Sequence, residues 1–147
     1  MFGLLALLLV VAPPHFRAAT GWHVGSRSCT GISPYRCAQA SGWASTVRYR
    51  DCGNCVPPHR TLAHLPPGGI VIQVSNTQGH FGYEKWPPRI RARDVTAGFE
   101  GVPDRYGVFQ RLVRTGSLDH SLFVWFGRAH PTRRQLARAN AELLTVR

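Results

Sequence analysis

The four cysteines are the residues of this sequence with the clearest potential for chemistry. They are spaced C-x7-C-x14-C-x2-C, at positions Cys29, Cys37, Cys52 and Cys55. The last two form a CxxC inside the stretch YRDCGNC, which covers residues 49–55. A CxxC works as a thiol-redox couple, as half of a zinc site or as a tight disulfide, and the flanking residues have to decide among the three.

The residues that follow the CxxC argue against a redox site. A thioredoxin-type couple places its first cysteine at the start of a helix, where the helix dipole lowers the thiol pKa. Here Val56-Pro57-Pro58 follows, and no helical pattern begins there. The nearby histidines His59 and His64 could complete a zinc site with Cys52 and Cys55. A thiol-redox or zinc-binding protein is therefore the alternative interpretation.

The N-terminus carries the pattern of a secretory signal. An unbroken run of apolar and glycine residues extends from Phe2 to Ala12, and Pro13-Pro14 follows it. The run is about half as long as the roughly 20 residues that a membrane-spanning helix needs. Because the small residues Ala18 and Ala19 are suited to processing, we expect residues 1–20 to be a signal peptide or an N-terminal anchor.

Export determines how the cysteines are best interpreted. A secreted or envelope-associated protein meets an oxidising compartment, where an even number of cysteines in a small domain favours disulfides. Sequence alone leaves three pairings open. We favour Cys29–Cys37, whose loop can turn back on itself, and Cys52–Cys55, whose Gly53-Asn54 centre suits a tight turn. The alternative joins each N-terminal cysteine to one cysteine of the CxxC.

The charge of the chain predicts an anionic partner. Seventeen arginines and one lysine oppose seven carboxylates, which gives a formal net charge of +11. A strongly basic exported domain is attracted to lipid headgroups at the membrane surface and to phosphate-bearing or acidic polymers of the cell envelope. We expect such a component, or an unidentified envelope protein, as the partner. Nucleic acid fits the charge but not the export signal, and is not expected.

A basic run in the middle of the sequence is the best candidate for an anion site. In an extended segment, Arg89, Arg91 and Arg93 would all lie on one face. Lys85 is close by and would add to the grip on a phosphate or carboxylate. The other interpretation is an ordinary solvated strand face, which is what runs of like charge usually form.

No arrangement typical of an enzyme stands out. Asp119-His120-Ser121 contains the residue types of a Ser–His–Asp triad, but neighbouring strand residues point to opposite faces of a sheet. The sequence has no G-x-S-x-G, no H-E-x-x-H and no phosphate-binding glycine loop. We therefore assign no catalytic residue, metal ligand or cofactor, and we expect a binding domain rather than an enzyme.

Strand patterns fill most of the chain that must position these residues. Ile70–Val74 is apolar and rich in β-branched residues, which predicts a central strand. Tyr106–Val113 and His120–Phe126 flank a glycine-containing loop and predict a β-hairpin. Gly21–Val24 and the alternating segment Trp43–Arg50 predict further strands.

A helix is predicted at the C-terminus. Thr132 and Gln135 have the spacing of a capping box, which marks the start of a helix. Leu136 and Leu143 lie on one face at helical spacing, and Leu144 is predicted to widen that apolar stripe.

The order of these elements predicts the fold class. Strands come first and one long helix comes last, which favours an α+β domain with an antiparallel β-sheet packed against the C-terminal α-helix. Because no linker or repeat interrupts the chain, residues 21–147 are predicted to form a single domain.

Several stretches resemble small exported proteins of GC-rich Gram-positive bacteria. The stretches are GWHVGSRSC, YRDC, LPPGGIVIQVS, WPPRIRARDVTAGFEG and FGRAHPTRRQLARANAELLTVR. This resemblance implies export and no particular activity. The layout, with Gly21-Trp22 in a first strand and a last strand followed by a terminal helix, is also similar to the PsbP-like fold. That likeness implies an antiparallel sheet between helices and a role as an accessory or binding domain.

Overall fold

The computed structural model describes residues 9–31, 40–52, 55–77, 84–99, 101–115 and 118–147. Within these ranges the strands are β1 (Leu9–Val11), β2 (His23–Arg27), β3 (Cys29–Gly31), β4 (Ser41–Ser45), β5 (Ile70–Thr77), β6 (Glu84–Lys85), β7 (Thr96–Phe99), β8 (Val102–Thr115) and β9 (Leu118–Phe126). The α-helices are α1 (His59–Leu62) and α2 (Arg133–Leu143). Neither helix is long and apolar enough to cross a membrane.

Seven of the described strands form one mixed sheet with the C-terminal helix following it, which makes the fold α+β. The hydrogen-bonded order is β2-β4-β5-β9-β8-β6, and β7 also pairs with β8, while β1 and β3 form a separate ladder. β6 runs parallel to β8, so the prediction of a purely antiparallel sheet is wrong at this edge. β6 has only two residues and is followed by Trp86-Pro87-Pro88, which leaves no strand pattern to recognise in the sequence.

The centre of the sheet lies where the sequence predicts it. The apolar segment that begins at Ile70 becomes β5, whose first five residues are all buried. The predicted hairpin is confirmed by the antiparallel pairing of β8 with β9. β4 is shorter than predicted and ends at Ser45. The next residue, Thr46, uses its hydroxyl to bind the N–H and the C=O of Ile70 at 2.9 and 3.3 Å, and the alternating residues after it lie outside the sheet.

Two apolar clusters form the core. One contains Ile72 of β5, Phe109 of β8 and Leu143 of α2. The other contains Trp125 of β9 and Leu62 of α1. Successive strand residues point to opposite faces of a sheet, so the two helices contribute side chains to different clusters.

The predicted capping box at the start of α2 is confirmed. The Thr132 hydroxyl accepts a hydrogen bond from the backbone N–H of Gln135 at 3.2 Å, and the Gln135 side chain accepts one from the backbone N–H of Thr132 at 3.0 Å. The Gln135 amide also donates to the carbonyls of Pro67 and Gly69 at 3.1 and 3.2 Å, which fastens the helix to the turn before β5. Leu144 does not widen the apolar stripe, because it follows the last helical residue and is 71% exposed.

The end of the segment predicted to be a signal or anchor contacts the domain. Pro13, Pro14 and Phe16 are buried, and Phe16 belongs to the cluster that contains Leu143. The backbone N–H and C=O of His15 pair with those of Arg147 at 3.2 and 3.0 Å. Phe16 is therefore part of the core.

β4 has a glycine where this segment approaches it. A Cβ atom placed on Gly42 would lie 2.0 Å from the carbonyl oxygen of Pro14. A Cβ atom and a carbonyl oxygen cannot rotate away from each other, so a larger residue at this position would require the backbone to move. Gly42 therefore permits the close packing of the N-terminal segment on the sheet.

Candidate functional site

The predicted bridge within the CxxC is confirmed. Cys52 and Cys55 form a disulfide, with their Cα atoms 5.2 Å apart. Of the other predicted pair, Cys37 lies outside the described residues, and only the backbone of Cys29 is described, in β3. The Cys29–Cys37 bridge stays a prediction.

Aromatic packing holds the chain that leads into the disulfide. The ring of Tyr49 stacks on that of Trp43 with centroids 4.8 Å apart, and its hydroxyl donates to the carbonyl of Cys52 at 3.3 Å. Burial raises the pKa of Tyr49 well above its usual value, and the charge of Asp51 acts in the same direction. The phenol therefore stays protonated and serves as a hydrogen-bond donor.

Asp51 caps α1 from outside the helix. Its carboxylate accepts hydrogen bonds from the backbone N–H groups of Arg60 and Thr61 at 3.1 and 2.7 Å, which are first-turn donors without partners inside the helix. The Thr61 hydroxyl in turn accepts from the N–H of Arg50 at 2.9 Å. The stretch YRDCGNC thus joins the end of β4 to α1 by stacking, capping and a disulfide.

The surroundings of the bridge favour a structural role over chemistry. α1 begins only at His59, so Cys52 does not sit at a helix start that would lower the pKa of its thiol. His64 is exposed. Within the described part of the chain, no group of three His, Cys, Asp or Glu side chains could hold a metal ion.

We expect the double variant Cys52→Ser, Cys55→Ser to keep its fold and to melt at a slightly lower temperature. The bridge closes a very short loop, so loop-closure entropy gives it a stabilisation of about 2 kcal/mol or less. Thermal unfolding followed by circular dichroism measures the shift. Loss of the folded spectrum in the variant would contradict the small stabilisation, and turnover of a disulfide substrate by the wild-type protein would contradict the structural role.

The basic residues predicted to bind an anion are exposed, but they do not form one extended row. The backbone is extended at Arg91, and a short 3-10 helix then runs from Ala92 to Asp94. The alternation that would place Arg89, Arg91 and Arg93 on one face is therefore interrupted. Lys85 is exposed in the edge strand β6. Whether these residues bind an anion stays a prediction.

Another group of arginines surrounds a cavity beside the start of α2. The cavity has a volume of about 280 Å³. Its lining residues, which we call the arginine pocket, are Pro67, Gly68, Arg128, Thr132, Arg134, Gln135 and Arg138. None of these residues is acidic, so the pocket presents positive charge that no lining carboxylate neutralises.

Local structure positions the arginines of the pocket. Arg134 and Arg138 are one turn apart on α2 and share a face. Arg138 is held in place, because it donates to the carbonyl of Gly21 at 2.8 Å and lies 5.0 Å from the ring centroid of Trp22. The side chains of Arg128 and Arg134 make no hydrogen bond or ion pair with a described residue. They are therefore available to a ligand.

One acidic residue lies near the pocket in sequence. Glu142 is one helical turn beyond Arg138, and its side chain is buried. Burial raises the pKa of its carboxyl, while a hydrogen bond from Thr145 and the charge of Arg138 act in the opposite direction. Because Glu142 is buried and outside the lining, it leaves the guanidinium groups of Arg128 and Arg134 free to bind phosphate or carboxylate.

Sequence reasoning missed the arginine pocket. Arg134 and Arg138 are four residues apart on the predicted helix, and this spacing is a signal that they share a face. Arg128 comes from the turn after β9, and the Pro67-Gly68 turn is far away in sequence. The Gln135 hydrogen bonds to that turn, and the bond from the N–H of Gly127 to the carbonyl of Gly69 at 3.0 Å, bring these parts together.

A buried polar cluster lies at the opposite end of the hairpin. His120 of β9 pairs in register with Asn76 of β5, and both side chains are buried. His120 Nε2 is 2.6 Å from the hydroxyl of Thr115. In contrast, His120 Nδ1 and both amide atoms of Asn76 have no hydrogen-bond partner among the described residues. We call His120, Asn76 and Thr115 the histidine cluster.

The strand periodicity predicts that Asp119 and His120 point to opposite faces of the sheet. The structure agrees, so these neighbouring residues do not form a catalytic relay. Asp119 binds Arg114 at 2.6 Å, on the face of the hairpin opposite to His120. Burial lowers the pKa of His120, and the charge of Asp119 acts in the opposite direction. His120 is therefore a neutral, buried imidazole at neutral pH.

We expect the protein to lose stability as the pH falls below neutrality because of His120. In the unfolded chain this histidine binds a proton below about pH 6.5, whereas the folded state resists protonation to a lower pH because of burial. The unfolded state then binds more protons, so the free energy of unfolding decreases as the pH decreases. Above about pH 7 it no longer depends on the protonation of His120. Urea titrations at several pH values measure this slope, which should be shallower in His120→Gln. An equal slope in both proteins would assign the acid sensitivity to other groups.

No protein-family model, no curated protein and no solved structure matches this chain.

Proposed function

We propose that the protein is an exported, disulfide-stapled, non-catalytic domain that binds an anionic component of the cell envelope through the arginine pocket. The recognised group is a phosphate or carboxylate of a polymer or of a lipid headgroup. The observation that carries this proposal is the convergence of Arg128, Arg134 and Arg138 on one cavity without an acidic lining residue.

The chemistry of the pocket supports recognition of a single charged group. Guanidinium groups present paired donors that match the oxygens of phosphate and carboxylate. Arg138 is fixed by Gly21 and Trp22, so less conformational entropy is lost when a ligand binds. A volume of about 280 Å³ is at the lower end of ligand pockets, which suits one head group rather than a longer stretch of polymer.

Two sequence features and the disulfide support the location and the kind of partner. The apolar run at the N-terminus is typical of export, and the Cys52–Cys55 disulfide is typical of an oxidising compartment. The net charge of +11 attracts the domain to anionic surfaces, and dissolved salt screens this attraction at longer distances. The pocket then supplies the specific contact.

The arginine pocket needs a fixed position of α2 relative to the sheet. We infer that α2 packs against the sheet and fixes the pocket, because its residues Ala139 and Leu143 are fully buried and share a cluster with strand residues. The Gln135 contacts to Pro67 and Gly69 then set the distance between the helix and the turn that forms the far wall.

The experiment compares two double variants that lose the same charge. Arg128→Gln with Arg134→Gln alters the pocket, and Arg91→Gln with Arg93→Gln alters the exposed run. Binding to inorganic polyphosphate and to vesicles containing phosphatidylglycerol is measured at low and at high salt. We expect the pocket variant to bind polyphosphate at least about tenfold more weakly, because the loss of one charge-assisted contact already has an effect of this size. The affinity of the matched control should decrease much less.

Three outcomes would reject the pocket as the site. Equal losses in the two variants would mean that net charge alone drives binding, since each lacks two arginines. A larger loss in the Arg91, Arg93 variant would assign binding to the run predicted from sequence. No binding of wild-type protein to either probe would reject anion recognition itself.

A further inference from the structure

A larger cavity lies between the N-terminal segment, the end of the hairpin and the last residues of the chain. Its volume is about 570 Å³, within the range of small-molecule sites. It is lined by residues 12–15, by Thr115 and His120, and by Val146 and Arg147. We call it the apolar cavity, because prolines, alanine and valine form most of its wall. It shares no lining residue with the arginine pocket.

Unpartnered polar atoms lie beside the apolar cavity. His120, which is 4% exposed, lines it and leaves Nδ1 without a hydrogen-bond partner, as do both amide atoms of its register partner Asn76. Folded proteins satisfy most buried polar atoms, and those left unsatisfied call for an explanation such as a functional role. Three such atoms in one cross-strand pair therefore make this end of the hairpin a candidate for a functional role.

The contact between His120 and Thr115 determines what the cavity can offer a ligand. A tautomer with the proton on Nδ1 would bury an N–H without an acceptor, and such orphaned donors are rarer than orphaned acceptors. The proton is therefore assigned to Nε2, which donates to the Thr115 oxygen 2.6 Å away. The Thr115 hydroxyl proton is then left to donate into the cavity.

The polar residue at the end of the chain is also a donor. The guanidinium group of Arg147 can only donate hydrogen bonds, and it makes no ion pair with a described residue. Its backbone pairs with that of His15, which keeps it at the rim of the cavity. Two donors, Thr115 and Arg147, therefore outnumber the single acceptor Nδ1 of His120 on the polar side, and with an apolar wall elsewhere they select a ligand with an acceptor-rich head and an apolar body.

We propose that the apolar cavity binds a small apolar carboxylic acid, such as a medium-chain fatty acid. The carboxylate accepts hydrogen bonds from Thr115 and Arg147, and the hydrocarbon body packs on Pro13, Pro14 and Val146. This site shares no lining residue with the arginine pocket, so either can fail without the other. Because residues 12–15 form its wall, it is a site of the chain that keeps its N-terminal segment.

Octanoate and octanol are the probes, because they share a body and differ in the head group. Titration is followed by calorimetry and by the imidazole NMR signals of His120. We expect octanoate to bind wild-type protein about tenfold more tightly than octanol, as a hydrogen bond to a charged group implies. Thr115→Val and Arg147→Gln should each remove most of this difference, whereas Arg133→Gln, at an exposed arginine that lines neither cavity, should leave it unchanged.

Arg147→Gln keeps the test decisive if Thr115→Val fails to fold, because the Arg147 side chain is exposed. Equal affinities for octanoate and octanol would overturn the proposal. So would the absence of binding, or octanoate affinity that is unchanged in Arg147→Gln but lost in Arg134→Gln.

Discussion

Replacing Phe16 with alanine is expected to lower the free energy of unfolding by about 3–5 kcal/mol. Phe16 is 7% exposed and belongs to the core cluster that also contains Phe109 and Leu143. Truncation removes its transfer energy and leaves a cavity, since neighbouring strands cannot move in to fill it. Urea denaturation followed by tryptophan fluorescence measures the effect.

His15→Ala is the matched control for this prediction. The side chain of His15 is exposed, and its backbone pairing with Arg147 does not depend on the side chain. We expect a change within about 0.5 kcal/mol. A neutral effect of Phe16→Ala would show that the N-terminal segment is peripheral to the fold.

The same contacts bear on processing of the N-terminus. A chain cut after Ala19 would lack Pro13, Pro14 and Phe16, which are buried, as well as the two hydrogen bonds between His15 and Arg147. We expect such a truncated protein to be at least as unstable as Phe16→Ala. A truncated protein as stable as the longer chain would instead agree with removal of the whole predicted signal. The mass of the native protein identifies which form exists.

Replacing Leu143 with alanine is expected to cost about 2–5 kcal/mol. Leu143 is fully buried and belongs to the same cluster as Ile72 and Phe109. Because α2 has a capping box that Leu143 does not touch, the helix should form in the variant and dock less firmly. Thermal and urea unfolding measure the loss.

The neighbouring residue gives an internal control. Leu144 has the same side chain but is 71% exposed, so Leu144→Ala should change the stability by no more than about 0.5 kcal/mol. Similar effects at the two positions would mean that α2 is not part of the core. The arginine pocket would then lose the scaffold that positions Arg134 and Arg138.

Local signals in the sequence were sufficient for the centre of the sheet and for α2. Ile70 begins a run of β-branched residues that only a buried strand accommodates, and Thr132 with Gln135 needs only its own helix to form a capping box. Trp43–Arg50 shows the limit of periodicity. The alternation continues past Ser45, but the strand ends there, where the N–H of Ile70 donates to the hydroxyl of Thr46 instead of to a backbone carbonyl.

Tertiary contacts account for what the sequence did not reveal. An apolar run followed by prolines has the same composition whether it is a signal or a strand with a buried turn, so the burial of Phe16 could not be predicted from that composition. The histidine cluster depends on the register that places His120 opposite Asn76. The arginine pocket depends on a turn near Pro67 meeting α2. None of these contacts lies within one local pattern.

The most direct test of arginine-pocket binding observes the guanidinium groups themselves. The side-chain Nε–H NMR signals are assigned by single Arg→Gln substitutions, and pyrophosphate is titrated into the wild-type protein at moderate salt. We expect the signals of Arg128, Arg134 and Arg138 to shift together and to saturate, with little change at Arg91 and Arg93. Small, unsaturable shifts spread over all exposed arginines, or saturation first at Arg91 and Arg93, would contradict binding in the arginine pocket.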